Sequence, residues 1–334
     1  MKLSSIEIIT SLKKHPNADT LEIAQVMGWQ SIVKAGIHKE GDKVVFITID
    51  TILPKETWSD FLTSKTTPTA PIRVKMIRLR GECSAGVILS LSKFSFDFSS
   101  FEVGTDITEI IGIKKYVKEL PACLSGENEG TFPSHLISRT DEINGLSDLE
   151  LVEYIIKSGP VTITQKCDGS SITVIINEGI ITQVCSRNLS KKNMEESVFW
   201  KAAKKLKQFD GFTGIIQGEL IGPKIQNNPM GIEDYEIVAF QVLKSSGEYM
   251  NYQEMKGFCN TELNCNVVPF VSDSSFEGNN VETVLQKLQN IADLQVYANG
   301  QPAEGIVVRP QDYRKSASRR PNGFKILNRN YIDS

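Results

Sequence analysis

Histidine and cysteine are scarce: 3 and 6 in 334 residues. Cys83, Cys123, Cys167, Cys185, Cys259 and Cys265 form no CxxC pair and no His/Cys cluster of zinc spacing, so reduced thiols and no structural zinc are expected. Long apolar runs are also missing. None approaches the roughly 20 residues of a membrane span. The N-terminal MKLSSIEIITSLKKHPNAD has neither a secretory apolar core nor a cleavage site. The expectation is a cytoplasmic or other intracellular soluble protein with no membrane partner. No sign of charge dominates: 37 Lys and Arg stand against 40 Asp and Glu, a net charge of −3. That balance neither favours nor excludes a nucleic-acid partner, because local patches set the field at a binding surface. Internal repeats and low-complexity tracts are absent.

What is present divides into two halves. Up to about residue 105 the chain is rich in short strands and turns. HPNADTLEIAQVMGWQSIVKAG, EGDKVVFITIDTILP and IRVKMIRLRGECSAGVILSLS each pair a turn with apolar alternation. Several short strands at this spacing predict an all-β OB-like barrel over residues 1–120. A charged connector (IGIKKYVKELP), a Gly/Glu/Asn loop (SGENEGTFPS) and a helix over LSDLELVEYIIKS follow. From 161 onward strands return, interrupted by helical periodicity over 193–209 (Val198, Phe199, Ala202, Leu206, Phe209) and over about 281–293. The expected second domain, 121–334, is α+β with mainly antiparallel sheets.

The stretch QKCDGSS at 165–171 sets charge between two β-branched runs, VTIT and ITVII. It reads as strand, glycine-containing bend, strand. Lys166 and Asp168 then share a face if the bend begins after Asp168, with Cys167 turned away as a buried filler. Four further stretches place ionisable or aromatic residues beside apolar runs in the same way: CSRNLS, IIQGELIGP, YEIVAFQV, and AEGIVVRP followed by GFKILN. Basic residues alternate with apolar ones at Arg73, Lys75, Arg78 and Arg80, and the tail carries Arg309, Arg314, Lys315, Arg319, Arg320, Lys325 and Arg329. A bland reading of such patches is a solvated strand face.

Lys-x-Asp-Gly, a downstream Arg, Gly-Glu after a strand, an aromatic-bearing strand, Glu-Gly-apolar-apolar and a late Lys form an ordered series. In that order the second half resembles the covalent nucleotidyltransferases. The resemblance implies that Lys166 attacks the α-phosphate of a nucleoside triphosphate, giving a lysyl-nucleotide. An unperturbed lysine, with a pKa of about 10.4, is almost wholly protonated at neutral pH. Lys325 and a divalent ion are therefore expected to lower the charged fraction of Lys166 and raise its nucleophilicity. The implied nucleotide-binding set is Gln165, Lys166, Arg187, Glu219, Phe240, Glu304 and Lys325, with Arg187 and Glu219 on the ribose and Phe240 stacked on the base. Asp168, Glu219 and Glu304 are the implied acids for Mg²⁺ or Mn²⁺, which keeps several waters.

A barrel ahead of the catalytic domain, FPSHLISRTDEI as lead-in and FKILN near the end resemble the ATP-dependent nick-sealing RNA ligases of the Deinococcus and Naegleria type. HPNADTLEIAQV resembles OB modules that bind tRNA. The resemblance implies an enzyme that uses ATP to join a 3′-hydroxyl to a 5′-phosphate in RNA, as a monomer, with Arg73, Lys75, Arg78 and Arg80 on strand phosphates. Two alternatives stand beside it: a capping-type RNA guanylyltransferase and a catalytically inactive RNA-binding relative. The last motif departs from the ligase pattern, because Gly323 precedes Phe324 and only Lys325 is lysine. A second cation is then sought in Arg319, Arg320 or Arg329.

Overall fold

The computed structural model describes residues 2–63, 72–116, 127–140, 142–207, 211–312 and 323–331. These fall into two compact units, residues 2–116 and 127–331. The expected boundary, within 117–126, lies outside the described residues, as do Cys123, Phe209, Arg314, Lys315, Arg319 and Arg320. No described helix is long and apolar enough to cross a membrane. The five described cysteines are free, and all are buried.

The N-terminal unit is built from short antiparallel strands. Lys43–Ile47 lies between Ser4–Ile8 and Val87–Ser90, and Ser11–Lys14, Leu21–Val26 and Trp29–Lys34 form a meander. Thr51–Leu53 pairs with Ile72–Val74 and with Lys114–Lys115, so the start of the expected connector belongs to this unit. Alternation explains the core: Ile6, Val45, Ile47, Ile72, Val74 and Leu89 point inward onto one cluster, joined by Phe98 from a loop. Each large side chain fully buried there contributes about 1.5–3 kcal/mol. Gly86, at φ +86°, lies where a Cβ would come within 2.7 Å of both Ile47 O and the Phe46 ring, so the strand can turn there only without a side chain.

The C-terminal unit holds two sheets. The larger runs Asn128–Thr131, Leu189–Lys191, Ile180–Ser186, Ser170–Asn177, Gly214–Ile221, Glu236–Lys244 and Asn266–Val267. The smaller runs Ile143–Asn144, Phe324–Leu327, Gly305–Pro310, Val161–Lys166 and Phe270–Ser274. Nearly all pairings are antiparallel. On the outer face of the larger sheet, Ile172, Val174, Val184, Ile216, Ala239 and Val242 pack on Phe199, Trp200, Met255 and Leu263. The helices Leu149–Lys157 and Val281–Asp293 cover the outer face of the smaller one, where Ile163, Ile306, Val308 and Ile326 are fully buried. The inner faces carry the charged and polar residues among a smaller set of apolar ones.

Helix Val281–Asp293 matches its periodicity, capped by Asn280 on the Thr283 amide. The 193–209 expectation is too long, since the α-helix covers only Val198–Ala203. Its C-terminal continuation is drawn off when the Lys207 amide donates to Leu263 O across the layer. A helix at Tyr252–Phe258, with a capping box of Asn251 and Glu254, was not expected, although Asn-x-x-Glu is its sequence mark.

Candidate active site

Antiparallel register brings the site together. Across the smaller sheet Lys166 stands opposite Gly305, Thr164 opposite Val307 and Thr162 opposite Arg309, while Val307 in turn faces Lys325. Residues directly opposite share a face, so Lys166, Arg309 and Lys325 all project toward the inner side. Gly305, at φ +148°, would place a Cβ 2.1 Å from Ile326 O. This backbone, which only glycine tolerates, leads from Glu304 into the strand. Glu304 Oε2 accepts from Lys166 Nζ at 2.5 Å, with both side chains under one-fifth exposed.

The facing sheet contributes Glu219, in one row with Ser171 and Val238. The bend at Gly169 lies against that row: a Cβ there would sit 2.4 Å from Leu220 O and 2.7 Å from Glu219 Cγ. Phe240 is the extra residue of a β-bulge, between the pairs Gln217–Gln241 and Gly218–Ala239, a device that re-aims a side chain. Arg309 lies over its ring, 5.4 Å from the centroid. The lead-in crosses the inner face. Gln217 donates to Ser138 O, Thr140 Oγ1 and Ser171 Oγ are 2.8 Å apart, and Arg309 donates to Glu142.

Charges dominate this interior. Burial works against the Lys166 ammonium, but Glu304, then Glu219 and Glu142, outweigh it and hold the lysine above its ordinary range. Glu219 moves the other way for a carboxylic acid. Burial, relieved by Lys166 but reinforced by Glu304 and Asp168, pushes its pKa up to about 8. Glu142 stays ionised: burial opposes its charge, and Arg309, followed by Lys166 and Lys325, more than compensates.

Several expectations are corrected. The strand ends at Lys166, not after Asp168, so the two side chains are not neighbours on one face. The Asp168 carboxylate accepts the Tyr331 hydroxyl, and Lys166 pairs with Glu304. Among the protein's own groups, the acids around Lys166 favour its charged form. Among the described residues no three acids converge to ligate a bare metal ion. The side chain of Gln165 is turned by alternation to the outer face, where Nε2 donates to Val296 O at 3.0 Å. Arg187 is exposed at a turn, one position past the Ile172–Ser186 pair and so in the row of Ser171 and Glu219. Arg329 is fastened to Asp293 at 2.5 Å, which leaves it a poor second cation. Cys167 is buried as expected, and burial pushes its thiol up to about 12.

Sequence reasoning did not assign Glu142, Arg309, Tyr297 or Tyr331 to the site. Alternation from Gly305 through Val307 places Arg309 on the inner face and would have found it. The two tyrosines carry no local mark.

The basic residues of the first unit do not form one stripe. Pairing breaks at Lys75 and Met76, so Arg73 belongs to the sheet of Thr51–Leu53, and Arg78 to a hairpin of Ile77–Leu79 with Glu82–Ser84. Arg73 pairs with Asp50 at 2.6 Å and lies 4.0 Å over the Tyr116 ring. Lys75, Arg78 and Arg80 are exposed.

The RNA ligase family model matches residues 159–326, just over half of the chain, and an OB-fold domain matches residues 3–91. The fold is similar to that of the Naegleria gruberi RNA ligase solved with PPi, at TM-score 0.77 and 25% identity, covering 98% of this chain and 97% of that one. A mutant of the same ligase with AMP and Mn gives TM-score 0.76 at the same identity and coverage. A curated relative, the phenylalanine–tRNA ligase beta subunit of Syntrophotalea carbinolica, is 30% identical over 136 residues, which is 35% of this chain and 15% of the relative's length.

Proposed function

The chain belongs to the RNA ligase family, and from that premise we propose that it is an ATP-dependent enzyme that seals 3′-hydroxyl and 5′-phosphate ends at nicks in RNA. The observation that carries this reading is Lys166 at a strand end, facing Glu304, Glu219 and Glu142, with Lys325 on the same inner face. A bond forms from Lys166 Nζ to the α-phosphorus of ATP, and the bond from that phosphorus to the pyrophosphate oxygen breaks. Glu304, already in contact with the ammonium, takes the proton that the nitrogen must lose. Lys325 and Arg309 supply positive charge to the phosphates, a role that depends on position more than on proton transfer. Phe240 offers the ring for the base once Arg309 moves from its face. The AMP then passes to the 5′-phosphate, and the 3′-hydroxyl displaces it.

The acids fit a hydrated divalent ion. Glu219 is driven toward its neutral form by burial and then by crowding with Glu304 and Asp168, and added positive charge would relieve that crowding. Asp168, Glu219 and Glu304 would hold Mg²⁺ or Mn²⁺ through its waters, and the ion would supply charge that screens the carboxylates and polarises the phosphate. RNA docking falls to Lys75, Arg78 and Arg80, whose contacts with phosphate position the strand without reading sequence. The same reading takes the enzyme as a monomer.

The test is incubation with α-labelled ATP or GTP and magnesium or manganese. Label from ATP should attach to the parent and be absent from Lys166→Ala, with the fold of the variant checked by circular dichroism. Label from GTP alone would make the enzyme a guanylyltransferase, and no label under any condition would leave only an RNA-binding relative.

A further inference from the structure

Strand pairing ends at Lys166 and Gly305, so the amides of Asp168 and Glu304 lie just beyond the last rung of the ladder. Both meet the same atom. Tyr297 Oη accepts from Asp168 N at 3.0 Å and from Glu304 N at 3.2 Å, and its hydroxyl lies 3.4 Å from Lys166 O as donor. A phenol has one proton to give and two lone pairs to fill, so all its capacity is spent on these three residues.

The tyrosine itself is fixed from several sides. It sits in a turn closed by Tyr297 N to Gln301 O at 2.8 Å and Ala303 N to Gln295 O at 2.9 Å. The fully buried Asn328 spans the same turn, donating to Gln295 O and Ala303 O, and Gln165 fastens Val296 from the lysine strand. The ring is 4% exposed. Burial and the Glu304 carboxylate, working against the two amide hydrogen bonds, keep the hydroxyl protonated well above neutral pH.

We propose that Tyr297 is a positioning residue of nucleotidyl transfer, its phenol joining the backbone of Lys166, Asp168 and Glu304 so that nucleophile and acids keep one geometry. The assignment rests on the ligase reading. Tyr297 touches no substrate in this role. It acts through the carriers of the chemistry, as supporting groups around a metal site do.

The experiment uses the full chain with Tyr297→Phe, which keeps the ring and removes only the oxygen. Single-turnover labelling of Lys166 is followed across ATP and manganese concentrations, beside amide exchange of the peptides holding Asp168 and Glu304. The maximal labelling rate should fall by about ten- to a hundredfold, with more manganese needed for half the maximal rate. Half-saturating ATP should stay within about twofold, because the hydrogen bonds of the phenol act on the transition state and the ion and not on the nucleotide. Exchange should quicken at Asp168 and Glu304 but not at Ile163. A lowered melting temperature with an unchanged maximal rate would reduce Tyr297 to a packing residue and overturn the assignment, as would unchanged exchange at both amides. A parent that takes up no label overturns the ligase reading and this role with it. A labelled parent matched by its variant overturns this role alone.

Discussion

In the C-terminal unit, Lys166, Glu304, Glu142 and Arg309 are largely buried and each has an opposite charge within reach. In the N-terminal unit, Lys75, Arg78 and Arg80 stand on the surface, and Arg73 is drawn against Asp50 and Tyr116. The difference is one of cost. Removing an ion from water costs several kcal/mol unless partners compensate, so a cleft with this many charges persists only as a mutually satisfied set. A surface cation costs almost nothing, and its presence says little by itself. A cluster of buried, mutually paired charges therefore points to a site, whereas exposed charge only permits one.

The largest expected effect comes from breaking the buried set at its closest pair. Glu304→Gln removes both the acceptor beside the lysine and one of the acids for the ion, and the rate of lysine labelling should fall about a hundredfold or more. The pH profile separates these losses. In the parent the carboxylates hold Lys166 above its ordinary pKa, so the amine fraction and the labelling rate should climb across the range from about pH 6 to about pH 9. With Glu304 neutralised the lysine pKa drops, and the climb should begin to level at lower pH. A profile unmoved by the substitution would mean that Glu304 does not control the proton on Lys166.

The same set predicts a smaller, opposite effect on stability. Glu219 titrates at about 8 when folded and in the ordinary carboxylate range when unfolded. Between those values the unfolded chain has released a proton that the folded one retains, so stability falls as pH rises through the window and is flat above it. The loss should appear in unliganded protein and should vanish in Glu219→Gln. Denaturant midpoints across the window check this. Parallel pH curves for parent and variant would show that Glu219 is solvated rather than crowded.

The contrast also explains what could be seen in the chain itself. Lys166, Glu219, Glu304 and Lys325 were legible because a charged residue interrupting a β-branched run must face something other than core. Asp168 was legible as a site residue, but its partner was not: the strand already ends at Lys166, and Tyr331 lies 163 positions away. Tyr297 meets Lys166 from 131 positions away, and no local period encodes such a contact. Helix Val281–Asp293 was legible from its spacing, and its Asn280 cap fixes where it starts. The shortened helix at Val198–Ala203 was not, because a long-range backbone bond from Lys207 decides where it stops.

The smallest effect tests the exposed side of the comparison. The HPNAD turn clamps the basic hairpin: buried His15 hydrogen-bonds through Nε2 with Leu79 O at 3.0 Å, and Asn17 Nδ2 donates to Arg80 O at 3.0 Å. Because Nδ1 of His15 accepts from the Asn17 amide at 3.1 Å, Nε2 carries the proton, and the turn presents Arg78 and Arg80 on a fixed scaffold. Replacing Lys75, Arg78 and Arg80 with alanine should weaken binding to nicked RNA by roughly tenfold or less at moderate salt, and lower the slope of log affinity against log salt by about 2. Arg73→Ala should behave differently. Its ion pair and ring contact are worth about 1 kcal/mol together, so the loss should appear in the melting temperature while RNA affinity and salt slope stay as in the parent. If Arg73→Ala weakens RNA binding as much as the triple replacement does, then Asp50 and Tyr116 merely hold Arg73 in readiness for phosphate, and pairing in this unit is no mark of a structural charge.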